Sequence, residues 1–499
     1  MQKTFIIVPF ILVIASLVNF FTQPDQQTDR PVLYWKSDAN PQRYEQIELF
    51  HEWLVENGHT APDGGPAFYL QLDAANNQSK LIQAVSGVGG DILDAGVSGY
   101  QPLGVLRDLT QEGKEMGFGV ENTYQGLAHE LTHNGKLYAY PCNVTAWSLW
   151  CNVDTFERYG MEPPPESWTV EEFERIGREF VRRAKEQDPD RRVFFIMLEP
   201  GRENYVIMPM LRSQGLDMFN ETLTACILDD PRYVELLKRL QKWIDEGLLP
   251  SSSDLASQTA ESGYGGGKMS GLYNGSYGMI VIGRWSLIRL REYENPPRLS
   301  LSSVPSEGFE NLILTARTAT LYAGSDHPEL AVLFFKYMAD RSYNEFIIEG
   351  SDGLPPNPEF AVDNPAYLSP PDHPNEGNTH ALELKWAQTI GLPNPHSPYY
   401  KSTGQNWSQY GRERFLNGLS TAEEAAAETQ KRMNAAIQVT LEATPGLRPQ
   451  YEADRKLQVK IDALKTEGKP IPREWIRNPF YVDYYRSIGQ LLEPEQSDE

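Results

Sequence analysis

Gly135–Phe173, GKLYAYPCNVTAWSLWCNVDTFERYGMEPPPESWTVEEF, constrains the architecture of this chain more than any other stretch. A Gly-Lys turn feeds an apolar run, then Pro141, a second apolar run and an Asn152-x-Asp154 cap over a short helix. Gly160 and Pro163–Pro165 break the helix before Trp168. That order predicts a backbone leaving one lobe of a two-lobed protein and entering the other. The length agrees, because 499 residues exceed what one ordinary core organises and call for two or three domains.

Upstream of the crossing the pattern alternates strand and helix. Val32–Trp35 reads as a strand, and Gln42–Glu56 carries helical spacing through Tyr44, Ile47, Phe50 and Leu54. Phe68–Leu72 is a strand, Gln78–Val85 a helix and Asp91–Asp94 a strand. Beyond the crossing, Thr169–Lys185 is a helix with Thr169 as cap and Glu171 and Glu172 in its first turn. Phe194–Leu198, Leu223–Leu228, Met279–Ile282 and Thr318–Tyr322 read as strands. Asn204–Arg212, Pro231–Glu246, Glu329–Met338, Leu382–Thr389, Gln409–Leu416 and Thr421–Ala443 read as helices. Such alternation predicts parallel α/β sheets flanked by helices. Ligands in these sheets sit beyond the carboxyl ends of the strands. Trp35–Asp38 and Asp94–Tyr100 are therefore expected at a site.

Residues 1–21 are different material. Lys3 precedes a charge-free run, Phe5–Phe21, and polar TQPDQQTDRP follows, the pattern of a secretory signal or a short membrane anchor. The run has no small-x-small cleavage site and no terminal Cys to take a lipid. Export is expected, with removal or retention left open. The charge is −23, from 45 Lys and Arg against 68 Asp and Glu. Such a surface repels nucleic-acid phosphate and anionic lipid, and it disfavours a strongly anionic ligand unless a local basic pocket overrules it. Of the three cysteines, Cys142 and Cys151 sit in an extended stretch that would hold them roughly 30 Å apart, against about 6 Å for a bridge. They and Cys226 read as free, buried thiols.

One motif suggests different chemistry. His129-Glu130-Leu131-Thr132-His133 matches HExxH, in which two His one helical turn apart bind zinc and Glu activates the metal-bound water. Against it, Asn134-Gly135 turns the chain directly after His133. The extended HExxHxxGxxH form fails at Lys136 and Ala139, and a third ligand would have to come from an undistinguished Glu157, Glu171 or Glu172. No GxSxG is present. Gly265-Gly266-Gly267-Lys268 lacks the phosphate-loop spacing and reads as a surface loop. A secreted zinc hydrolase using His129, Glu130 and His133 is thus the alternative reading; beyond it the residues supply no catalytic constellation, and no cofactor or metal is expected. Aromatic residues recur at element ends: Trp35, Tyr100, Trp147, Trp150, Tyr205, Trp285, Trp386 and Trp407. Their faces can stack on the CH face of a sugar ring, although a Trp is more often core than platform.

GKLYAYPCNVTAWSLWCNVDTF…PPPESWTVEEF resembles the crossing segment of solute-binding proteins of ABC sugar importers, the maltose-binding-protein type. VLYW, GVGGDILD, LEPGRENY, MIVIGRW, ELAVLFFKYM, SDGLPPNP, LPNPHSP and LSTAEEAAAETQKRM resemble further landmarks of that family, in order, over residues 32–443. The resemblance implies a two-lobed periplasmic-binding-protein fold: lobe one at 32–145 with 308–350, lobe two at 146–307 with 351–443. The ligand would lie in the cleft between them, residues 1–31 being signal or anchor and 444–499 an extension without counterpart. It implies a monomer that binds a neutral carbohydrate, an oligosaccharide in size, and delivers it to an ABC permease from the periplasm or cell surface. The ligand contacts it implies are Trp35, Ser37, Asp38, Thr145, Glu199, Tyr205, Trp285 and Trp407. Thr145 replaces an acidic residue of maltose-binding protein, and Ala95 and Ser98 replace its Trp and Asp, which argues against maltose itself.

Overall fold

The computed structural model describes residues 30–74, 77–199, 201–256, 266–401 and 406–494. The expected signal or anchor at 1–21 lies outside these residues. Along the chain the main strands are β1 (Val32–Ser37), β2 (Tyr69–Ala74), β3 (Ile92–Asp94), β4 (Ala139–Ala146), β5 (Ser148–Asn152), β6 (Phe194–Met197), β7 (Tyr277–Ile282), β8 (Leu299–Ser302), β9 (Leu312–Leu321) and β10 (Gly391–Pro393). The main helices are α1 (Gln42–Glu56), α2 (Asn77–Val85), α3 (Val170–Gln187), α4 (Asn204–Arg212), α5 (Pro231–Asp245), α6 (Gly266–Asn274), α7 (Pro328–Ala339), α8 (Arg341–Gly350), α9 (Thr379–Thr389), α10 (Trp407–Leu416), α11 (Ala422–Ala443), α12 (Arg448–Thr466) and α13 (Pro479–Ser487).

Two sheets organise the chain. The first runs β10-β9-β3-β1-β2, with β4 also paired to β9; the second runs β8-β5-β7-β6. The chain passes from the first to the second at Trp147, between β4 and β5, and returns between β8 and β9. Strands reached locally through a helix are parallel, as expected: β1 with β2 and β3, and β6 with β7. Strands reached by crossing between sheets are antiparallel, β9 to β3 and β4, β5 to β7 and β8. The wholly parallel expectation fails there because a crossing strand is not bound by the handedness of a strand–helix–strand unit.

Both sheets are buried by apolar faces. One core takes Leu33, Phe50, Ile92, Phe334 and Tyr337, and a second takes Leu149, Phe173, Phe195 and Trp243; the half-buried Trp285 packs against both. Helix starts follow the capping chemistry. Thr169 Oγ1 accepts the Glu172 N–H, and the Glu172 carboxylate accepts the Thr169 N–H at 2.9 Å. Thr421 and Glu424 repeat the arrangement at α11. Two expectations need correction. Leu223–Leu228 is no strand, because the Asn220 side chain accepts the N–H groups of Thr224 and Ala225 and folds the segment into a turn with one isolated bridge, Phe219 to Cys226. Gly266 and Gly267 are not loop but open α6, which buried Met269 and Leu272 dock onto the core. Cys142, Cys151 and Cys226 are free and buried, and burial pushes the Cys151 and Cys226 thiols up to about 12.

Candidate functional site

The carboxyl ends of β1 and β3 open into a cavity of about 980 Å³. Its wall comes from Asp38 after β1, Lys80 on α2, the Ala95–Ser98 turn after β3, His129 and Glu130, Arg317 in β9, and the Asn394–His396 turn after β10. Asp94 is the pivot of this wall. Its carboxylate accepts the Trp35 indole N–H at 2.7 Å, the Ser37 hydroxyl, and Arg317 Nη1 at 2.8 Å. Asp38 beside it pairs with Arg43 at 2.8 Å, and Arg43 reaches the buried Asp352 at 2.6 Å. Burial opposes ionisation of Asp38, but Arg43 and Arg317 prevail and hold its carboxyl below the ordinary value. Lys80 is buried, with its ammonium 3.3 Å from the Asp94 carbonyl oxygen.

A separate aromatic cluster lies at the crossing between the sheets. Trp147, at the step between the sheets, stacks on Tyr205 at the start of α4, with centroids 3.8 Å apart and planes 18° from parallel. Trp285, just past β7, stands at 66° to Trp147 with centroids 6.4 Å apart. The Trp147 indole N–H donates to Thr315 Oγ1 of β9 at 2.9 Å, which fixes the ring at the crossing. Arg202 lies 5.1 Å from the Trp147 centroid and 5.6 Å from that of Trp285, and the Lys268 ammonium lies 5.3 Å above Trp285. Glu199 holds both cations, Lys268 at 2.7 Å and Arg202 at 3.4 Å. Thr145 of β4 approaches so close to Gly283 that a Cβ there would lie 2.3 Å from the Thr145 methyl, so this crossing requires glycine. Burial raises the Tyr205 phenol against the opposing field of Arg202, with Glu130 and Glu199 adding to the rise.

The structure redistributes the expected contacts. Of these, Asp38 lines the cavity; Tyr205 and Trp285 belong to the aromatic cluster, whose cations Glu199 holds, and Thr145 lies at the crossing. Trp35 and Ser37 are each 0% exposed. They orient Asp94 from within the core and offer no face to a ligand. Trp407 is half-buried at the start of α10, edge-on to Tyr410 and 5.1 Å beneath Arg432 of α11, and it does not line the cavity. Sequence reasoning missed Lys80, Arg202, Arg317 and His396. A signal existed for Arg317, a lone charge within the strand run LTARTATLY.

The HExxH residues do not form a zincin helix. The helix spans only Ala128–Leu131, and His133 pairs with Lys136 in a two-residue hairpin, so the imidazoles do not share a helical face. Among the described residues no group of three or more His, Cys, Asp or Glu side chains could hold a metal ion. His129 is exposed and lines the cavity, and His133 is half-buried. Desolvation lowers both imidazoles, and it lowers His396 to about 4. Glu130 is raised to about 7 by burial, against the opposing backbone N–H bonds of Asn394 and Ala316.

Two sheets, with the chain passing between them at Trp147 and returning between β8 and β9, define a two-lobed fold. Solved structures share the fold. An ABC substrate-binding protein of Listeria monocytogenes in complex with cycloalternan aligns with a TM-score of 0.66 at 20% identity over 82% of this chain and 99% of its own. A solute-binding protein of Thermotoga lettingae bound to α-D-tagatose gives 0.65 at 16% over 82% and 100%. Maltose-bound MalE3 of T. maritima gives 0.64 at 15% over 81% and 98%. The model of the bacterial extracellular solute-binding protein family matches residues 78–345, more than half of the chain, and the chain belongs to that family. Comparison with curated proteins gives no match. Family membership makes this an exported protein. Among the described residues no helix is long and apolar enough to cross a membrane.

Proposed function

We propose that the chain binds a neutral carbohydrate, an oligosaccharide in size, between its lobes and hands it to an ABC permease. The observation that carries this is the cavity lined by Asp38, Lys80, Tyr100, Glu130 and Arg317 beyond the strand ends, with the Trp147–Tyr205–Trp285 cluster at the crossing between the sheets. Aromatic faces take the apolar face of a pyranose while fixed polar groups take its hydroxyls. A cavity of about 980 Å³ has room for more than one sugar ring. The fold neighbours that hold cycloalternan, tagatose and maltose support the same class of ligand. Closure of the lobes about the crossings would present the loaded form to the permease. Residues 1–21 would direct export and, where retained, tether the protein. The hydrolase alternative has no support in the geometry around His129 and His133, and we read the chain as a binding protein, not an enzyme.

The test is thermal shift against a panel of mono- and oligosaccharides. At least one neutral sugar should raise the melting temperature, and Trp285→Ala should weaken that ligand at least roughly tenfold, the loss expected for a stacked aromatic platform. Silence across the whole panel would overturn the proposal.

A further inference from the structure

The segment after α11 is no loose tail. Residues 448–492 fold into α12, α13 and a two-strand pairing of Ile471-Pro472 with Leu491-Leu492, with a core of Ile461, Ile471, Ile476, Phe480 and Tyr485. About four-fifths of this chain covers the solved neighbours almost end to end.

Its anchors on lobe two are buried and ionic. Glu221, 1% exposed, accepts from Gln458 and Lys465 at 2.7 Å each and from the Tyr485 hydroxyl at 2.5 Å. Asp217, 0% exposed, accepts from Asn478 at 2.8 Å and pairs with Arg212 at 3.1 Å. The opposite face lies on the crossings. Phe309, on the return from β8 to β9, meets Phe480 and Tyr484 edge-on, each at 5.9 Å. Leu392 of β10 belongs to the same small core, although β10 is the edge strand of the first sheet, parallel to Leu312–Leu314 of β9. Arg212 joins all three parts: it pairs with Asp217, donates to the Pro393 carbonyl at 3.0 Å and lies 5.4 Å from the Phe480 centroid. Gly215, at φ +76°, admits the Tyr484 hydroxyl where any Cβ would collide.

We propose that residues 448–492 are a hinge clamp, fixed to lobe two through Asp217 and Glu221 and gripping the crossings through Phe309 and Leu392. Rotation of the lobes shifts β10 of the first sheet relative to lobe two, so it must slide Leu392 within the core it shares with Phe480, while Phe309, whose N–H bonds the Ser213 carbonyl, holds the lobe-two end of the return. Packed surfaces resist such sliding and favour discrete arrangements. The clamp therefore stabilises the arrangement described here and slows exchange between open and closed forms. This rests on the two-lobed fold and not on the ligand, so it is tested without one.

Amide hydrogen exchange on the full-length, ligand-free protein reads it directly. Phe309→Ala should speed exchange of residues 303–314 and 390–396 roughly two- to tenfold, the factor expected for losing one or two aromatic pairs. Protection across Arg448–Thr466 should stay unchanged. Tyr484→Ala should reproduce the effect from the other side of the contact, and the double variant should add little to either single one. Crossings that exchange at the wild-type rate in both variants, with Arg448–Thr466 still protected, overturn the clamp. So does faster exchange spread evenly over the whole protein, which would mark Phe309 as general packing.

Discussion

At the scale of the residue, burial decides what each polar group can do. Trp35 and Ser37 lie at the carboxyl end of a strand, where a ligand contact is expected, but both are sealed under the site, and their work is to aim Asp94. Nothing in the run VLYWKSD distinguishes an exposed indole from a buried one. That depends on α7, whose Phe334 ring lies 4.9 Å from Trp35 and comes from the far end of the sequence. Glu130 shows the same dependence in its protonation. The unfolded carboxyl loses its proton near its ordinary value, whereas the folded one keeps it to about pH 7. Between these values the native state binds more protons than the unfolded state, so Glu130 makes stability fall as pH rises through that window. Glu383, raised to about 8 by burial, acts with the same sign over a wider window. Glu130→Gln should therefore reduce the loss of stability between about pH 5 and pH 8 by on the order of 2 kcal/mol, read by urea denaturation at both pH values. An unchanged difference would show that Glu130 titrates normally in the folded protein.

Elements were the most legible scale, because their signals are local. Capping boxes, Pro and Gly breaks and helical spacing placed α3, α5 and α11 within a residue or two of their observed ends. Thr169→Ala should cost about 1 kcal/mol, since it strips the cap from an 18-residue helix without touching the core. Thermal denaturation would check this, and a cost near zero would mean that packing alone fixes the helix start. Where a local signal misled, a distant partner had intervened. The apolar run LTACIL suggested a strand, but Cys226 backbone groups bond to the Asn434 side chain of α11, and Asn220 turns the chain back. HExxH implied one continuous helix, yet the helix ends at Leu131 and Thr132-His133 pairs with Lys136-Leu137 across the Asn134-Gly135 turn.

In the whole molecule, the order of lobes was legible because a crossing leaves a linear trace: strand, break, strand, cap. The neighbourhood of the cleft was not. Arg317 and His396 lie far from Asp38 and Lys80 in sequence and join them in one cavity only because β9 and β10 return to the first sheet. The joint between lobe two, β10 and the C-terminal segment is equally non-local. Asp217→Ala strands Arg212 as a buried, unmatched charge, and should cost about 3–5 kcal/mol in denaturant unfolding. A loss below about 1 kcal/mol would show that the Arg212 bond to the Pro393 carbonyl suffices without the ion pair.

The sequence by itself determined the elements, their order, the two-lobed family and the three free cysteines, because periodicity, capping and chain breaks act over a few residues. Only the tertiary structure decided which residues line the cavity, which carboxyls burial raises, and that residues 448–492 pack against lobe two and β10. Burial and charge pairing are set by neighbours hundreds of positions away, and no window of sequence contains them.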